Sequence, residues 1–356
     1  MRRSLIQKNG SLFMKYTIII PYLLLTGILT ACGGGGSNSN SGSPDTPAPT
    51  SGTFSLGVSD NPALADKVNI AFKQVVLKGE DGSISFDVSD SEGNANQVDL
   101  LSVQGQTVAN LVTDESVPLG EYQMCIYMEN REVADETSSH VKVGEAVAGL
   151  VTNSNGSCGG VGAEEPDTGR LFLNKAVTIT ADSNRYVAEF NLAKGLQAPH
   201  GNKAYWTLKP TSVQLVNITE VGAISGSVHL DVLALCEMTE PGYSDLGLAV
   251  YLYPQDTLIA AMEDFRPLAT LTAPLAASRA NPVSEAEEII SYSYEFGFIQ
   301  AGSYQLGFTC VADNDDPETE QGDASDPVFF IHQATTDNVD VIVGEVSVYD
   351  FIPPVI

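Results

Sequence analysis

The sequence predicts an all-β protein with two antiparallel β-sandwich domains behind a signal peptide and a flexible tether. The first observation is a period-two alternation of apolar and polar residues, as in Val68, Ile70 and Phe72. Such alternation marks half-buried strands. The second observation is that no long stretch with a 3.6-residue period competes with it. Regular short strands of this kind are typical of a sandwich.

The second half of the chain repeats the alternation and is expected to form its own domain. Without leader and tether, about 305 residues remain, which suits two domains of ~100 to 200 residues each. We place the boundary near Glu220 to Gly222, so that the domains span 53–221 and 222–356. The predicted strands of the second domain carry these sets: Ile224, Val228, Leu230 and Val232; Leu248, Val250 and Leu252; Tyr292, Tyr294, Phe296 and Phe298; Val339, Val341 and Val343.

Both halves open one strand with the same four-residue pattern. Gly120-Glu121-Tyr122-Gln123 and Gly302-Ser303-Tyr304-Gln305 are each followed by apolar alternation and a cysteine. The glycine permits a tight turn, and the tyrosine can pack its ring while bonding through its hydroxyl. The pattern suggests two similarly built sandwiches, although common turn chemistry explains it almost as well.

Residues 1–31 are predicted to be a lipoprotein signal peptide. Residues 16–31 are apolar, follow a basic start and contain Pro21, and the stretch is shorter than the ~20 residues that a spanning helix needs. Met14 would also serve as a start, so the first residue is either Met1 or Met14. Leu29-Thr30-Ala31-Cys32 resembles the lipobox of bacterial lipoproteins, in which the cysteine is lipidated and becomes the new N-terminus. Several acyl chains on Cys32 would anchor the protein stably in a membrane.

Residues 32–52 are predicted to be a flexible Gly/Ser/Pro tether, because residues 33–52 carry no large apolar side chain. Gly33 follows the lipidation cysteine where aspartate would stand for retention, and by resemblance to lipoprotein sorting this indicates the outer membrane. The folded part would then face either the periplasm or the cell surface. The chain has 45 acidic and 17 basic residues and a net charge of −28. This excess argues against nucleic acid as a partner, because binding to phosphates requires Lys and Arg.

Four cysteines remain after Cys32, and they allow three disulfide pairings. In an oxidising compartment we expect one disulfide within each domain, Cys125 with Cys158 and Cys236 with Cys310. A crossed pairing would have to lock both domains together. The competing interpretation is a zinc site, but the sequence has no Cys-x-x-Cys pair, and its four histidines show no ligand spacing.

The order of motifs in the first half resembles a bacterial lipoprotein family, that of domain of unknown function 4382. The resemblance covers about residues 52–217 and departs from the family at the insert Ser154 to Gly169, whose Cys158 would pair with Cys125. The second half resembles a carboxypeptidase-regulatory or transthyretin-like sandwich, from Ile224-Ser225-Gly226-Ser227-Val228 to Ala301-Gly302-Ser303-Tyr304. Neither resemblance implies a catalytic residue. The motifs that carry the first one are Thr53 to Ala63, Val68-Asn69-Ile70, Val75-Val76-Leu77, Val98-Asp99-Leu100-Leu101, Leu119 to Tyr122 and Leu208-Lys209-Pro210.

An acidic loop after Cys310 is the best candidate for a metal site. Asp313, Asp315, Asp316 and Glu318 crowd hard oxygen ligands together, as Ca²⁺ requires. The loop is not an EF-hand, because Glu318 stands at the sixth position, where glycine is needed. The alternative is a solvated acidic loop without a cofactor.

No motif of an enzyme is found, neither Gly-x-Ser-x-Gly, nor His-Glu-x-x-His, nor a phosphate-binding glycine loop. We therefore expect a non-enzymatic, lipid-anchored envelope protein, a binding or structural module at the outer membrane with a protein or glycan ligand. One alternative is a calcium-stabilised adhesion or glycan-binding module, in which Tyr251 and Tyr253 could stack a glycan or meet the neighbouring domain. Trp206 is expected in the core or on a sheet face, and the alternative is a platform for a sugar ring. The other alternative is a carbohydrate-active hydrolase, since carboxylates are numerous enough to pair.

Overall fold

The apolar alternation folds into β-sheets, which are seen in a computed structural model that describes residues 48–61, 65–161, 166–239, 247–265, 271–315 and 329–354. Strands dominate these residues, so the predicted all-β class is confirmed. The two α-helices are short, α1 (Leu192–Gly195) and α2 (Leu230–Thr239). Within the described ranges, no helix has the length and apolar character needed to cross a membrane.

Two sheets come from residues 51–217 and form the first sandwich. One sheet has the order β13-β10-β1-β5, and the other has the order β11-β12-β8-β7-β2-β6-β9, with β3 and β4 also pairing with β2. Their strands are β1 (Ser51–Asn61), β2 (Lys67–Gly79), β3 (Gly82–Asp87), β4 (Asn96–Asp99), β5 (Ala109–Pro118), β6 (Gly120–Glu129), β7 (His140–Val143), β8 (Ala146–Val151), β9 (Thr168–Ile179), β10 (Ser183–Asn191), β11 (Leu196–Gln197), β12 (Trp206–Leu208) and β13 (Val213–Asn217).

Two further sheets come from residues 221–348 and form the second sandwich. Their orders are β17-β18-β14-β22 and β16-β15-β19-β20, with β21 also pairing with β19. Short 3₁₀ turns join several elements in both sandwiches, at Leu100–Ser102, Pro210–Ser212, Ile218–Glu220, Ile259–Ala261 and Ala312–Asn314. The strands are β14 (Val221–His229), β15 (Ala249–Pro254), β16 (Ala276–Arg279), β17 (Asn281–Glu285), β18 (Glu288–Gln300), β19 (Gly302–Thr309), β20 (Gln333–Ala334), β21 (Val339–Val341) and β22 (Val346–Val348).

Each sandwich closes over its own apolar core. In the first, Phe54 of β1, Ile70 of β2 and Met124 of β6 are fully buried members of one apolar cluster. In the second, Phe296 of β18 packs with Phe308 of β19 in a separate cluster. Since inward positions recur every second residue, the alternation in the sequence specifies which face of each strand is buried.

The first strand begins two residues before the predicted domain boundary. Ser51 pairs with Pro118 and Gly52 with Val117, so the end of the predicted tether belongs to β1. At Gly52 an added Cβ would lie only 1.8 Å from the Thr180 carbonyl oxygen. Glycine is therefore needed here because the backbones approach closely, which composition alone does not distinguish from linker use.

The predicted strand through Leu230 and Val232 was wrong beyond His229, where β14 ends and α2 begins. Val232 and Cys236 lie one turn apart on the buried face of α2, while Leu230 is exposed. The Cys236–Cys310 bond then joins α2 to the end of β19. So short an apolar pattern as that of Leu230 and Val232 is compatible with a strand and with one face of a helix. Tertiary packing therefore determines which of the two forms.

The cysteines pair as predicted, Cys125 with Cys158 and Cys236 with Cys310. Cys158 belongs to the insert that departs from the family resemblance, and this bond holds the insert against the outer face of β2 and β6. Tyr127 donates its hydroxyl to the carbonyl oxygens of Gly156 and Val161, at 3.0 and 2.9 Å. The insert thereby covers Val76 and Tyr127, which are buried in a small apolar cluster. Closing a loop of this size is worth ~3 to 4 kcal/mol.

The repeated Gly-x-Tyr-Gln pattern builds the same local structure twice. The hydroxyl of Tyr122 donates to the carbonyl of Pro118 at 2.9 Å, and that of Tyr304 donates to the carbonyl of Gln300 at 2.9 Å. In each case the acceptor lies four residues upstream, so the tyrosine fastens the turn that begins its own strand. Tyrosine corners of related geometry hold the turns of other β-sandwiches.

We predict that Tyr122→Phe and Tyr304→Phe each lower the free energy of unfolding by about 1 kcal/mol, because each leaves a backbone carbonyl without its donor. Urea denaturation of each variant measures the loss. The matched control is Tyr205→Phe, which keeps the ring that Lys203 contacts. A loss no larger than that of the control would show that the hydroxyl bonds do not hold the turns.

Candidate functional site

An open cleft between the two sandwiches is the candidate site. We call it the inter-sandwich cleft; it lies between β9, β10, α1 and β13 on one side and β15, residues 274–276, β18 and β19 on the other. Its volume is about 470 Å³. Pockets that hold small ligands typically measure about 300 to 1,000 Å³. The cleft is therefore large enough to hold a ligand, and both sandwiches contribute to it.

Asn191, at the end of β10, organises the wall from the first sandwich. Its side-chain oxygen accepts a hydrogen bond from the Lys194 backbone amide at 3.1 Å and so caps α1. Its side-chain nitrogen donates to the carbonyl of Leu275 in the second sandwich at 3.2 Å. One asparagine thus fixes the short helix and also joins the two walls of the cleft.

The wall from the second sandwich is apolar and aromatic. Leu252, Leu275 and Ile299 line it together with the rings of Phe298 and Tyr304. Phe298 has a φ of 53°, in the left-handed region that bulky residues avoid. Such backbone strain is held in place by surrounding structure and clusters at ligand-binding positions.

A tight junction beside the cleft connects the sandwiches. The backbone amide and side-chain amide of Gln106 both donate to Oε1 of Glu295, at 3.3 and 3.0 Å. A Cβ added at Gly297 would lie 2.0 Å from the carbonyl oxygen of Gly105. Only glycine at residue 297 allows the two backbones to come this close.

The charged groups of the cleft come from the first sandwich. Lys175 and Lys194 are exposed at the rim, and Glu189 is nine-tenths buried at the floor. The ammonium of Lys175 lies 3.8 Å from Glu220 in an exposed pair, which adds little stability. Among the described lining residues, Glu189 is the single carboxylate.

Asp60, near the end of β1, is a buried acid that the sequence did not single out. It is 1% exposed, and neither carboxyl oxygen has a hydrogen-bond partner within the described part of the chain. Burial raises the pKa of this carboxyl well above its usual value, and the nearby charges of Glu189 and Asp99 act in the same direction. The backbone amide of Leu192 acts against them without reversing the shift.

The same end of β1 holds the loop that reaches the second sandwich. The Asp60 backbone amide donates to the carbonyl of Val103 at 2.9 Å. The Ser59 hydroxyl contacts the carbonyls of Val103 and Gly105, at 3.0 and 3.2 Å. Since Gly105 meets Gly297 across the junction, Asp60 lies directly behind the contact between the sandwiches.

The residues of the predicted calcium site are only partly described. Asp313 lies in the 3₁₀ turn Ala312–Asn314 that follows β19, and Asp315 comes directly after this turn, whereas Asp316 and Glu318, like Cys32, fall outside the described residues. Asp315 accepts hydrogen bonds from the Tyr251 hydroxyl at 2.8 Å and the Phe265 backbone amide at 3.0 Å. Where the structure describes the chain, no three His, Cys, Asp or Glu residues are grouped to hold a metal. The calcium site stays a prediction, and Asp315 has a structural role of its own.

The aromatic residues considered from the sequence are buried or half-buried. Tyr251 and Tyr253 are 2% and 0% exposed and pack with Phe265 and Phe329. They cannot stack a glycan, so that interpretation was wrong: their strand face is covered by the loop segments around Phe265 and Phe329. Trp206 packs against the core of the first sandwich, as expected.

We predict that Asp60→Asn stabilises the protein at neutral pH. Because the folded pKa of Asp60 lies above 3.8, the folded state holds a proton that the unfolded state loses, and stability falls as pH rises from about 4 through the folded pKa. Asparagine keeps the shape but not the charge, and should flatten that part of the profile. Thermal unfolding between pH 4 and 8 tests this, with the exposed Asp81→Asn as control. An unchanged slope in Asp60→Asn would contradict the assignment.

We also predict that Asp315→Ala destabilises the second sandwich in the absence of calcium, by about 1 to 3 kcal/mol, because it leaves the buried Tyr251 hydroxyl unpaired. Unfolding in EDTA measures the loss. Asp313→Ala, two residues away, is the comparison variant. A loss from Asp315→Ala that appears only when calcium is present would assign the residue to the metal instead.

Solved structures show only low similarity to this chain. A proposed cell adhesion protein from Parabacteroides distasonis is 13% identical with a TM-score of 0.18, covering 68% of this chain, which spans 54% of that protein. A second, from Bacteroides fragilis, is 12% identical with a TM-score of 0.19 over 85% of this chain and 90% of its own. A proposed adhesin from Bacteroides ovatus is 11% identical, with a TM-score of 0.16 and coverages of 85% and 97%. Scores this low carry no argument about function.

A family match supports the first sandwich. No curated protein matches the sequence. Residues 51–210 match the family described as "Domain of unknown function (DUF4382)". The match runs from the start of β1 to Pro210, so it includes β9, β10 and α1 of one cleft wall but leaves β13 and the whole second sandwich outside. The resemblance noted for this part of the sequence is thereby confirmed for residues 51–210.

Proposed function

We propose that the protein is a lipid-anchored, non-enzymatic envelope module that binds its ligand in the inter-sandwich cleft. The observation that carries the proposal is that the cleft is built from both sandwiches and spanned by the Asn191–Leu275 hydrogen bond. A site formed where two rigid units meet is a common place for ligands.

The junction supports binding because it fixes the shape of the cleft before a ligand arrives. Gln106 and Glu295 hold one end, and the close approach of Gly105 and Gly297 leaves no room for sliding. A preorganised site loses less conformational entropy when it binds. One disulfide in each sandwich adds rigidity to it.

The chemistry of the lining favours recognition over hydrolysis. A glycosidase-type reaction requires two carboxyl groups about 5 to 9 Å apart. The described lining offers one, Glu189, together with ammonium, amide and aromatic groups. These groups can orient a ligand, and we therefore place the carbohydrate-active hydrolase behind the binding module.

The membrane anchor is the second part of the proposal, and its support is the sequence Leu29-Thr30-Ala31-Cys32 followed by Gly33. We propose an outer-membrane location, with the folded part facing the periplasm or the surface. The proposed division at 53–221 and 222–356 is supported by the two separate cores. The carboxypeptidase-regulatory or transthyretin-like nature of the second domain is proposed on its sequence resemblance alone.

We predict that the full chain, produced in a lipoprotein-processing bacterium, incorporates an alkyne fatty acid, and that Cys32→Ala abolishes the label. Gly33→Asp is the matched variant, which should keep the label but move the protein to the inner-membrane fraction. Persistent label in Cys32→Ala, or none in the wild type, would refute the anchor. Protease digestion of intact and opened cells then tells which side the folded part faces.

A further inference from the structure

We propose that the inter-sandwich cleft binds a short acidic oligosaccharide, one that carries the carboxylates of uronic acid residues. This inference rests on the proposed function and names the ligand class of its cleft. It follows from the charge, the lining chemistry and the size of the cleft.

The charge distribution is the first step. Residues 222–356 contain 22 Asp and Glu against two basic residues, Arg266 and Arg279. Nevertheless, the wall that this part of the chain gives to the cleft carries no charged side chain among its described residues. A surface this acidic repels anions everywhere except where the carboxylates are absent. The wall that residues 222–356 give to the cleft is such a place, and Glu189 of the opposite wall is the single carboxylate among the described lining residues.

The two rim lysines are the second step. Lys175 and Lys194 come from the opposite wall, and among the described residues no carboxylate pairs with Lys194. The exposed Glu220 near Lys175 is a weak competitor at 3.8 Å. An ammonium group supplies three donors to a carboxylate, and such charge-assisted hydrogen bonds are the stronger kind. Two exposed lysines on one wall can therefore pair with a ligand that repeats its carboxylates.

The neutral lining is the third step. The side-chain amides of Asn174, Gln214 and Gln300 each offer donors and acceptors, which match the hydroxyl groups of a sugar. The rings of Phe298 and Tyr304 give apolar faces for the C–H side of a pyranose. Tyr304 is fixed by its hydrogen bond to Gln300, and Phe298 is held in a strained backbone conformation. Glu189 at the floor can accept from hydroxyls while the carboxylates of the ligand stay at the rim.

An acidic peptide is the competing occupant, because β13 is an edge strand and borders the cleft. A peptide would bind mainly by adding a strand to that edge, through backbone hydrogen bonds. The groups that converge on the cleft are instead side-chain amides, rings and ammonium groups within about 470 Å³. That arrangement fits a compact polyhydroxylated ligand better than an extended chain.

The test is isothermal titration of the folded wild-type chain with trimers of galacturonate, glucuronate and mannuronate, each beside its uncharged methyl ester. We expect one of the acidic trimers to bind at least tenfold more tightly than its ester, with an affinity that falls as salt is added. Lys194→Gln should weaken that binding about tenfold, whereas Lys203→Gln, which lies outside the cleft, should not change it. Amide chemical shifts along β13 and β18 should change on binding.

Equal binding of an acid and its ester, or an unchanged affinity in Lys194→Gln, would overturn the acidic class while the cleft remained a binding site. Binding of hexaglutamate in place of every uronate trimer would assign the cleft to acidic peptides. If none of the trimers, esters or hexaglutamate binds, the acidic-saccharide assignment is wrong. The labelling of Cys32 is a separate readout, so the membrane anchor stands or falls independently of these titrations.

Discussion

The contact between the Gly105 and Gly297 backbones is the constraint on which the arrangement of the two sandwiches depends. Any side chain at residue 297 would have to displace the Gly105 carbonyl, so the distance between the sandwiches is set by the absence of a Cβ. The Gln106–Glu295 hydrogen bonds then fix their relative rotation, and Asn191 closes the other side. Together these contacts determine the width of the cleft and therefore what can enter it.

Within each sandwich, the apolar core supplies most of the stability, and a few polar contacts fix the positions of turns and segments. Tyr122 and Tyr304 repeat one device at the start of β6 and β19, while the disulfides fasten an insert in one sandwich and α2 in the other. Asp60 is the exception, since its carboxyl group is buried without a hydrogen bond among the described residues and weakens the folded state whenever it is charged.

Much of the fold could be predicted from local patterns. Alternation in Val68, Ile70 and Phe72 identifies a strand because side-chain direction reverses at each residue. The assumption of one disulfide per domain gives the correct cysteine pairs. The helix α2 was not predicted because the position of Val232 fits both the two-residue period of a strand and the 3.6-residue period of a helix. The cleft could not be predicted at all. Asn191 and Leu275 are 84 residues apart in sequence, and nothing in either segment indicates that they meet. Of the residues proposed from sequence as ligand-binding, Tyr251 proved to be buried, because a strand pattern reveals alternation but not what covers a face.

The redox state of Cys158 determines how firmly the insert is held over β2 and β6. In a reducing cytosol the Cys125–Cys158 bond cannot form, and the insert would be held over β2 and β6 mainly by the Tyr127 hydrogen bonds. Opening it uncovers Val76 and Tyr127 on a sheet face, which is the kind of surface that chaperones bind and that leads to aggregation. A chain with this bond reduced would therefore expose a chaperone-binding surface, whereas oxidation would keep the same surface covered through a covalent bond.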